Sequence, residues 1–383
     1  MRISLGHLIS IEIPPQSPFQ KYGQIFSSTR TRIAGVASKT PRHKRRHSGW
    51  PLRNGRIMIL VPSLKDISTS GSARLAVPFG AMAWLQYLLL RGAITVSRPF
   101  DLRGVQRFAW ALSSLFGREN EAEVALPEGG KLSVNLADGY WIKLLGGIPH
   151  EPEMHAIMRR LLGEPGVCFL DCGANIGYWS VLAAEAIGDP SRIIAVEASP
   201  PMFERLKRNA ELNNGSFKCV QAAVWSRDGE SLEIVSHDRR HAGSTVVGRR
   251  NQRGLPGYRS ARVDSITIDT LRDRWFRDPT ARIIVKLDVE EAEIEALNGA
   301  ARTLASQDVV IIYEDHGNDP ACRSSAHMIE NLGLVIYFCW DDTVKRLDTA
   351  NAVRATKRNV KYGYNYLACV PGGFFSRLLE SLM

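Results

Sequence analysis

The stretch Phe169-Leu170-Asp171-Cys172-Gly173-Ala174-Asn175-Ile176-Gly177 constrains the fold more than any other part of this 383-residue chain. An apolar run ends in an acid, two glycines four apart punctuate a turn, and a helical pattern over Ile176–Ala186 follows. Glycine adopts backbone angles closed to other residues and lets a ligand approach the main chain. The first turn of the helix beyond it carries unpaired N–H groups. A strand feeding a helix through such a turn belongs to an α/β sheet, whose ligand sites lie beyond the carboxyl ends of the strands. The dinucleotide fingerprint G-x-G-x-x-G is broken, because Asn175 stands where its second glycine belongs. Asp171 beside the turn disfavours a pyrophosphate and suits a cationic or amine-bearing ligand. Both points argue against a nicotinamide dehydrogenase.

The pattern around this turn repeats. Strand-like runs are expected at Val167–Asp171, Arg192–Glu197, Phe217–Val224, Ile283–Val289, Val309–Glu314, Leu334–Trp340 and Tyr366–Val370. Helical patterns at Ile176–Ala186, Met202–Asn213, Ala292–Leu304 and Cys322–Leu332 separate several of them. Such alternation predicts an α/β, Rossmann-like, seven-stranded and mostly parallel sheet covered on both faces. An insert between the third and fourth strands carries two more strand-like runs, Ser231–Ser236 and Arg262–Ile268. The Arg/Gly-rich stretch 239–259 between them reads as a mobile loop.

Charge divides the chain elsewhere. Residues 1–56 hold eleven basic residues and one acid, Glu12, so the formal +10 of the whole chain sits in that segment. The other 327 residues balance, with 38 bases and 38 acids. A basic balance points to nucleic acid, but here it applies to the tail alone. Three regions are therefore expected: a disordered basic tail over 1–56, a helical extension over 57–120, and the catalytic domain over 121–383. The tail lacks the apolar run of a secretory signal. It resembles an organellar transit peptide or translated upstream DNA, with the start at Met58 or Met82. Residues 75–90 carry no charge but are too short to span a bilayer, and 102–117 form an amphipathic pattern. A packed helix is preferred there over peripheral membrane contact through 75–117. Six cysteines form no C-x-x-C pair and no zinc spacing, which points to a reducing, cytoplasmic compartment without disulfides.

A second acid sharpens the chemistry. The run Ile193-Ile194-Ala195-Val196-Glu197 ends about twenty residues beyond the glycine turn, where a carboxylate can accept both hydroxyls of a ribose. The two elements together resemble a class I S-adenosylmethionine-dependent methyltransferase. Three further runs, Val263 to Leu271, Ile284 to Glu293 and Leu297-Asn298-Gly299-Ala300, make the resemblance one to the FkbM family, over roughly Gly147 to Glu314. One position departs from that pattern: Glu291 stands where the family usually has Gly, which is expected either to alter the start of that helix or to narrow the substrate side of the pocket.

The resemblance implies S-adenosyl-L-methionine as cofactor. Asp171, Gly173, Ala174, Asn175 and Gly177 would form the loop around its methionine and ribose portions. Glu197 would hold the ribose hydroxyls, and Ala222 and Ala223 would lie near the adenine. Asp288 would end the fourth strand beside the reactive methyl. If the acceptor is a hydroxyl, a base must take its proton. Lys286 and Asp288 are two apart on one strand and share a face; they read either as base and orienting partner, with Lys286 itself a base if burial lowers its pKa, or as a structural ion pair. His316 reads as a secondary base or as a satisfied loop histidine. Acids at 290 and 293 favour the helix dipole whatever the function, and nothing in the sequence demands a metal.

The expected function is methylation of a hydroxyl on a small molecule or glycan, with no nucleic-acid partner for the core domain. A nucleic-acid methyltransferase using the basic tail is the alternative, although the place after the fourth strand lacks the Asn/Asp-Pro-Pro-aromatic run of base-modifying enzymes. A cofactor-binding module that has lost turnover is the non-enzymatic alternative.

Overall fold

A computed structural model gives the fold and describes residues 81–98, 102, 104–237, 240–246, 258–276, 278, 280–317, 319–340, 343–359 and 364–383. The basic tail and residues 57–80 lie outside this set. The chain begins, within it, with helices α1 (Ala81–Ser97) and α2 (Val105–Phe116) and a hairpin of β1 (Glu121–Ala125) and β2 (Lys131–Asn135). Helix α3 (His155–Leu162) leads into β3 (Val167–Cys172), α4 (Tyr178–Ile187), β4 (Ile193–Glu197), α5 (Pro200–Leu212) and β5 (Lys218–Gln221). The insert follows as β6 (Ala223–Val224), β7 (Ser231–His237), β8 (Arg240–Val246) and β9 (Tyr258–Ile266). The chain then returns through α6 (Ile268–Trp275), β10 (Arg282–Leu287), α7 (Glu293–Asn298), α8 (Ala301–Leu304), β11 (Val309–Glu314) and α9 (Arg323–Glu330). It closes with β12 (Val335–Trp340), β13 (Thr343–Leu347), α10 (Ala350–Thr356), β14 (Asn365–Cys369) and α11 (Phe374–Glu380).

The main sheet has eight strands in the order β13-β12-β14-β11-β10-β3-β4-β5. The five from β11 to β5 pair in parallel, whereas β14 runs antiparallel to both β11 and β12. All seven expected strands are present. The eighth, β13, pairs antiparallel with β12 at the edge. The third expected strand is divided: β5 ends at Gln221, and β6 joins β9, β7 and β8 in a second, four-stranded sheet. Part of the expected loop 239–259 is strand, since β8 spans Arg240–Val246 and β9 opens at Tyr258; residues 247–257 lie outside the described residues. The expected helix over Ala292–Leu304 breaks into α7 and α8 at Gly299, where a side chain would collide with the carbonyl oxygen of Trp225.

The central strands are buried on both faces, as a parallel sheet between helical layers requires. Alternate residues feed two cores. Phe169, Ile193, Ala195 and Ile284 pack with α4, α5 and the inner faces of α1 and α2. Leu170, Ile194, Val196, Ile283 and Val285 pack with α6, α7 and α9 on the other side. One side of this scaffold is tied by a buried carboxylate. Buried Asp269 on α6 accepts hydrogen bonds from the N–H groups of Arg302 (2.9 Å) and Thr303 (2.8 Å) and from the Thr303 hydroxyl (2.8 Å), capping α8. Its own N–H donates to the carbonyl of Gly299 at 3.0 Å.

Asp269→Ala leaves those buried donors unmatched. It is expected to cost about 2–3 kcal/mol of folding stability, read as a lowered urea midpoint with an unchanged denaturant slope.

Candidate active site

The carboxyl edge of the parallel strands opens into a cleft that is continuous with solvent. Its floor is the turn between β3 and α4. Gly173 and Ala174 both donate their N–H groups to the carbonyl of Val196 on β4 at 2.9 Å. Gly173 has φ +82°, and a Cβ there would lie 1.8 Å from the carbonyl oxygen of Asp288. Only glycine fits this crossing of two chains. Asn175 is also left-handed, at φ 52°. Its N–H donates to Glu197 at 2.8 Å, and its side-chain oxygen accepts the indole N–H of Trp141 at 3.1 Å.

Glu197 ends β4 buried, with its other oxygen accepting the N–H of Ser199 at 2.7 Å. Burial pushes its carboxyl up to about 7, against the pull of the two N–H bonds. Asp171, one strand over, is equally buried and accepts the Ser180 hydroxyl at 2.6 Å. Burial raises it to about 6, opposed chiefly by Lys286, its cross-strand neighbour. Lys286 donates to Asp288 at 2.9 Å. Burial on its own would lower the Lys286 ammonium, but Asp288, Glu151 and Asp171 outweigh it and hold the group above the ordinary lysine range. Lys286 is therefore a fixed cation that positions Asp288, and not the depressed base that burial alone would make. Glu314, at the end of β11, completes this side. Burial lifts it to about 8, with Asp288, Glu151 and Glu290 pushing the same way.

Of the sequence-derived residues, Asp171, Gly173, Ala174, Asn175, Glu197, Ala222, Ala223, Lys286 and Asp288 line this cleft together. Two do not. Gly177 (φ +89°) starts α4 and packs against Leu206 and Phe217 behind the turn. His316 is exposed beyond the end of β11, because buried Asp315 turns away from the cleft to bond Ser325 (2.6 Å) and Lys357 (2.7 Å). The imidazole in the cleft wall is instead His150. It is buried, and burial together with Lys143, which sits 3.1 Å from Nδ1, holds its pKa well below the usual value. His150 belongs to an aromatic wall with Tyr140, Trp141, Tyr178 and Trp179, whose rings meet edge-on, tilted or stacked. The one sequence signal for this wall is the paired aromatics at 140–141 and 178–179.

The departure at position 291 also has a physical account. Glu290 and Glu291 are consecutively left-handed, with φ of 46° and 69°. Glycine takes that conformation freely. Glu291 itself is exposed and outside the cleft, so it does not narrow the pocket; Glu290 is the one of the pair that lines it.

Residues 171–334 match the model of the methyltransferase FkbM domain. No curated protein matches the sequence. Among solved structures, methyltransferase FkbM from Methylobacillus flagellatus KT is 15% identical, over 53% of this chain and 43% of that one, with a TM-score of 0.31. The chain thus spans less than half the length of that protein. Precorrin-6y C5,15-methyltransferase from Geobacter metallireducens GS-15 is 13% identical over 58% and 90%, with a TM-score of 0.32. Cofactor-bound Rv0187 from MTB is 16% identical over 58% and 82%, with a TM-score of 0.34.

The crowded carboxyls set a pH dependence. Asp171, Glu197 and Glu314 titrate at about 6, 7 and 8 in the folded chain, against about 4 when unfolded. Between those values the folded state binds more protons, so stability falls as pH rises from about 4 to about 8. The melting temperature of the ligand-free protein is expected to drop between pH 5.5 and pH 8.5, measured by scanning calorimetry. Glu314→Gln is expected to flatten the upper part of that profile.

Proposed function

We propose that the chain is an S-adenosylmethionine-dependent methyltransferase that methylates a hydroxyl group of a small molecule or glycan. One observation carries the cofactor reading. Glu197 is a buried carboxylate at a strand end, 2.8 Å from the backbone N–H of a glycine-containing turn and lining the same cleft. Each of its oxygens accepts one N–H, and a carboxylate oxygen has capacity for a second donor, so a ribose diol can be held there. The rest of the cleft fits the same group. Gly173 keeps the turn open, Ala222 and Ala223 leave room beside Glu197 for a flat base, and the excess of carboxylates suits a cationic ligand. S-adenosylmethionine supplies an activated methyl on a sulfonium centre.

The chain's own residues then have three tasks. Asp171, Gly173, Ala174, Asn175 and Glu197 bind and orient the cofactor. Asp288, held by Lys286 at 2.9 Å, accepts the proton of the acceptor hydroxyl. Glu314, at about 8, keeps its proton at neutral pH and can donate a hydrogen bond across the cleft. The aromatic wall excludes water from one side and offers a flat surface to the acceptor. The carboxylate-rich lining repels phosphates, which supports a small neutral acceptor over a polynucleotide.

Calorimetry with S-adenosylhomocysteine is expected to show binding to the wild type. Glu197→Ala is expected to weaken it roughly 10- to 100-fold, the range for hydrogen bonds to a charged group; no wild-type binding removes the cofactor reading. Asp288→Asn is expected to keep that affinity while lowering methyl transfer at least about 100-fold. Transfer is followed by mass spectrometry of metabolite extracts incubated with isotopically labelled cofactor. Unchanged transfer in Asp288→Asn takes the base role from this residue.

A further inference from the structure

His150 is the imidazole of the cleft wall, and proton acceptance by Asp288 leaves it without a task. It is 5% exposed, and its ring is fixed from several sides. Trp141 lies against it at a centroid distance of 4.8 Å, with Tyr178 at 5.3 Å and Tyr140 at 5.5 Å, both edge-on. Its backbone N–H donates to the Tyr178 hydroxyl at 3.3 Å, and its carbonyl accepts from Nε2 of His155 at 2.9 Å. The two ring nitrogens have different surroundings. Nδ1 is 3.1 Å from Nζ of Lys143, which lies outside the cleft lining. Burial pulls Lys143 below the ordinary lysine range, but Glu151 and Glu153 oppose the fall and favour its ammonium form. An ammonium group only donates, so Nδ1 accepts. Burial, with Lys143 beside it, holds the imidazole well below its usual pKa, so the ring is neutral. A neutral ring whose Nδ1 accepts carries its proton on Nε2. That N–H has no hydrogen-bond partner among the described residues. Oε2 of Glu151 stands 3.6 Å from Nε2, beyond hydrogen-bonding reach, and already accepts the Trp179 indole N–H at 3.0 Å.

We propose that His150 is a specificity-determining residue, whose Nε2–H donates to a second oxygen of the acceptor while Asp288 takes the proton of the hydroxyl that is methylated. This rests on the methyltransferase reading and deepens it: the acceptor class is a compound with at least two oxygens, such as a diol or a hydroxy ketone. The polarity of the two groups selects that chemistry. Asp288 accepts and His150 donates, so one acceptor oxygen brings a hydrogen and the other brings a lone pair. Both residues line one cleft, and the Asp288 charge reaches the imidazole. The second oxygen is uncharged, because a neutral imidazole has no charge to hold an anion and Asp288, Glu290 and Glu314 repel one. A buried donor left unmatched is costly, so an acceptor without the second oxygen is turned away. The same geometry excludes His150 as the base, since Nε2 already carries its proton and Nδ1 faces Lys143. The donor is also held in register with the cofactor turn. Trp141, which packs on the ring, donates its indole N–H to Asn175 at 3.1 Å.

Two measurements on the full chain test this. Nitrogen–proton NMR of the histidine side chains near neutral pH is expected to show His150 as the neutral Nε2–H form, its signals being those that vanish in His150→Gln. A ring protonated on Nδ1, alone or together with Nε2, overturns the proposal. The second measurement is transfer kinetics, with labelled cofactor and the metabolite-extract fraction that the wild type methylates. His150→Phe is expected to keep its affinity for S-adenosylhomocysteine and to raise the apparent KM for that fraction about 10-fold or more, with a smaller change in kcat. His150→Gln, whose amide N–H reaches the place of Nε2, is expected to recover most of the loss. A packing role alone gives the reverse order, because Phe suits an aromatic wall better than Gln. An unchanged KM in His150→Phe overturns the proposal, as does a Gln variant no better than the Phe variant. A labelled product whose only oxygen is the methylated one overturns it too. Circular dichroism melts check that both variants fold; if the Phe variant unfolds, the ring NMR decides. A wild type that binds no S-adenosylhomocysteine, or labels nothing, overturns the methyltransferase reading itself, and the acceptor class falls with it.

Discussion

The site depends on one crossing of two backbones. After β3 ends, Gly173 passes beneath the carbonyl of Asp288, and the Asp288 N–H donates to Cys172 at 2.9 Å. This contact extends the β3–β10 pairing past the last sheet residues, so the ends of both strands are fixed together. The same turn is pinned on its other side by the two N–H groups that bond Val196. Three strand ends are thereby locked within one hydrogen-bonded knot, and each delivers a carboxylate: Asp171, Glu197 and Asp288. A side chain at 173 would force β3 and β10 apart at the point where the reactive groups meet. Packing density elsewhere can tolerate small volume changes; this crossing cannot, since the clash is with main chain.

The electrostatics follow from that geometry. Bringing carboxylates to one sheet edge concentrates like charge in a partly dry cleft, and burial then raises Asp171, Glu197 and Glu314. Lys286 is the cation lining the cleft, and it is held between Asp171 across the strand pair and Asp288 two residues on. It offsets part of the repulsion without neutralising the cleft. The remaining negative field is useful only toward a ligand that brings positive charge. The stability lost in crowding these groups is thus tied to the kind of molecule the cleft accepts.

How much of this was legible in the sequence depended on how local each signal is. The glycine turn and Glu197 each follow one strand, so a short window holds the strand, its end and the site residue together. The eighth strand escaped because β13 is an exposed edge: Thr343, Lys345 and Arg346 face water and give no apolar run. The break between α7 and α8 was hidden for a different reason. Gly299 looks like a tolerated helical glycine, and only the approach of Trp225, far away in sequence, shows that no larger residue fits there. The aromatic wall is assembled from three separate stretches, residues 140–141, 150 and 178–179. His316 follows a strand end in sequence, whereas no local signal marks His150. The carboxyl of Asp315 decides the direction of His316, and that is set by Ser325 and Lys357.

The strained pair Glu290–Glu291 connects the sequence departure to the site. Two consecutive non-glycine residues in the left-handed region cost of order 1 kcal/mol or more each, and helix dipole interactions of acids at the start of α7 offset part of that. The turn must leave β10 immediately after Asp288 and still allow Ala292 to bury and α7 to begin at Glu293. A left-handed step reverses the chain in the fewest residues. It also keeps Glu290 in the cleft wall while Glu291 faces water. Glycine at 291 would relieve the strain but also loosen the turn in the unfolded and folded chain alike. A glutamate there trades backbone ease for a stiffer link between Asp288 and the helix behind it.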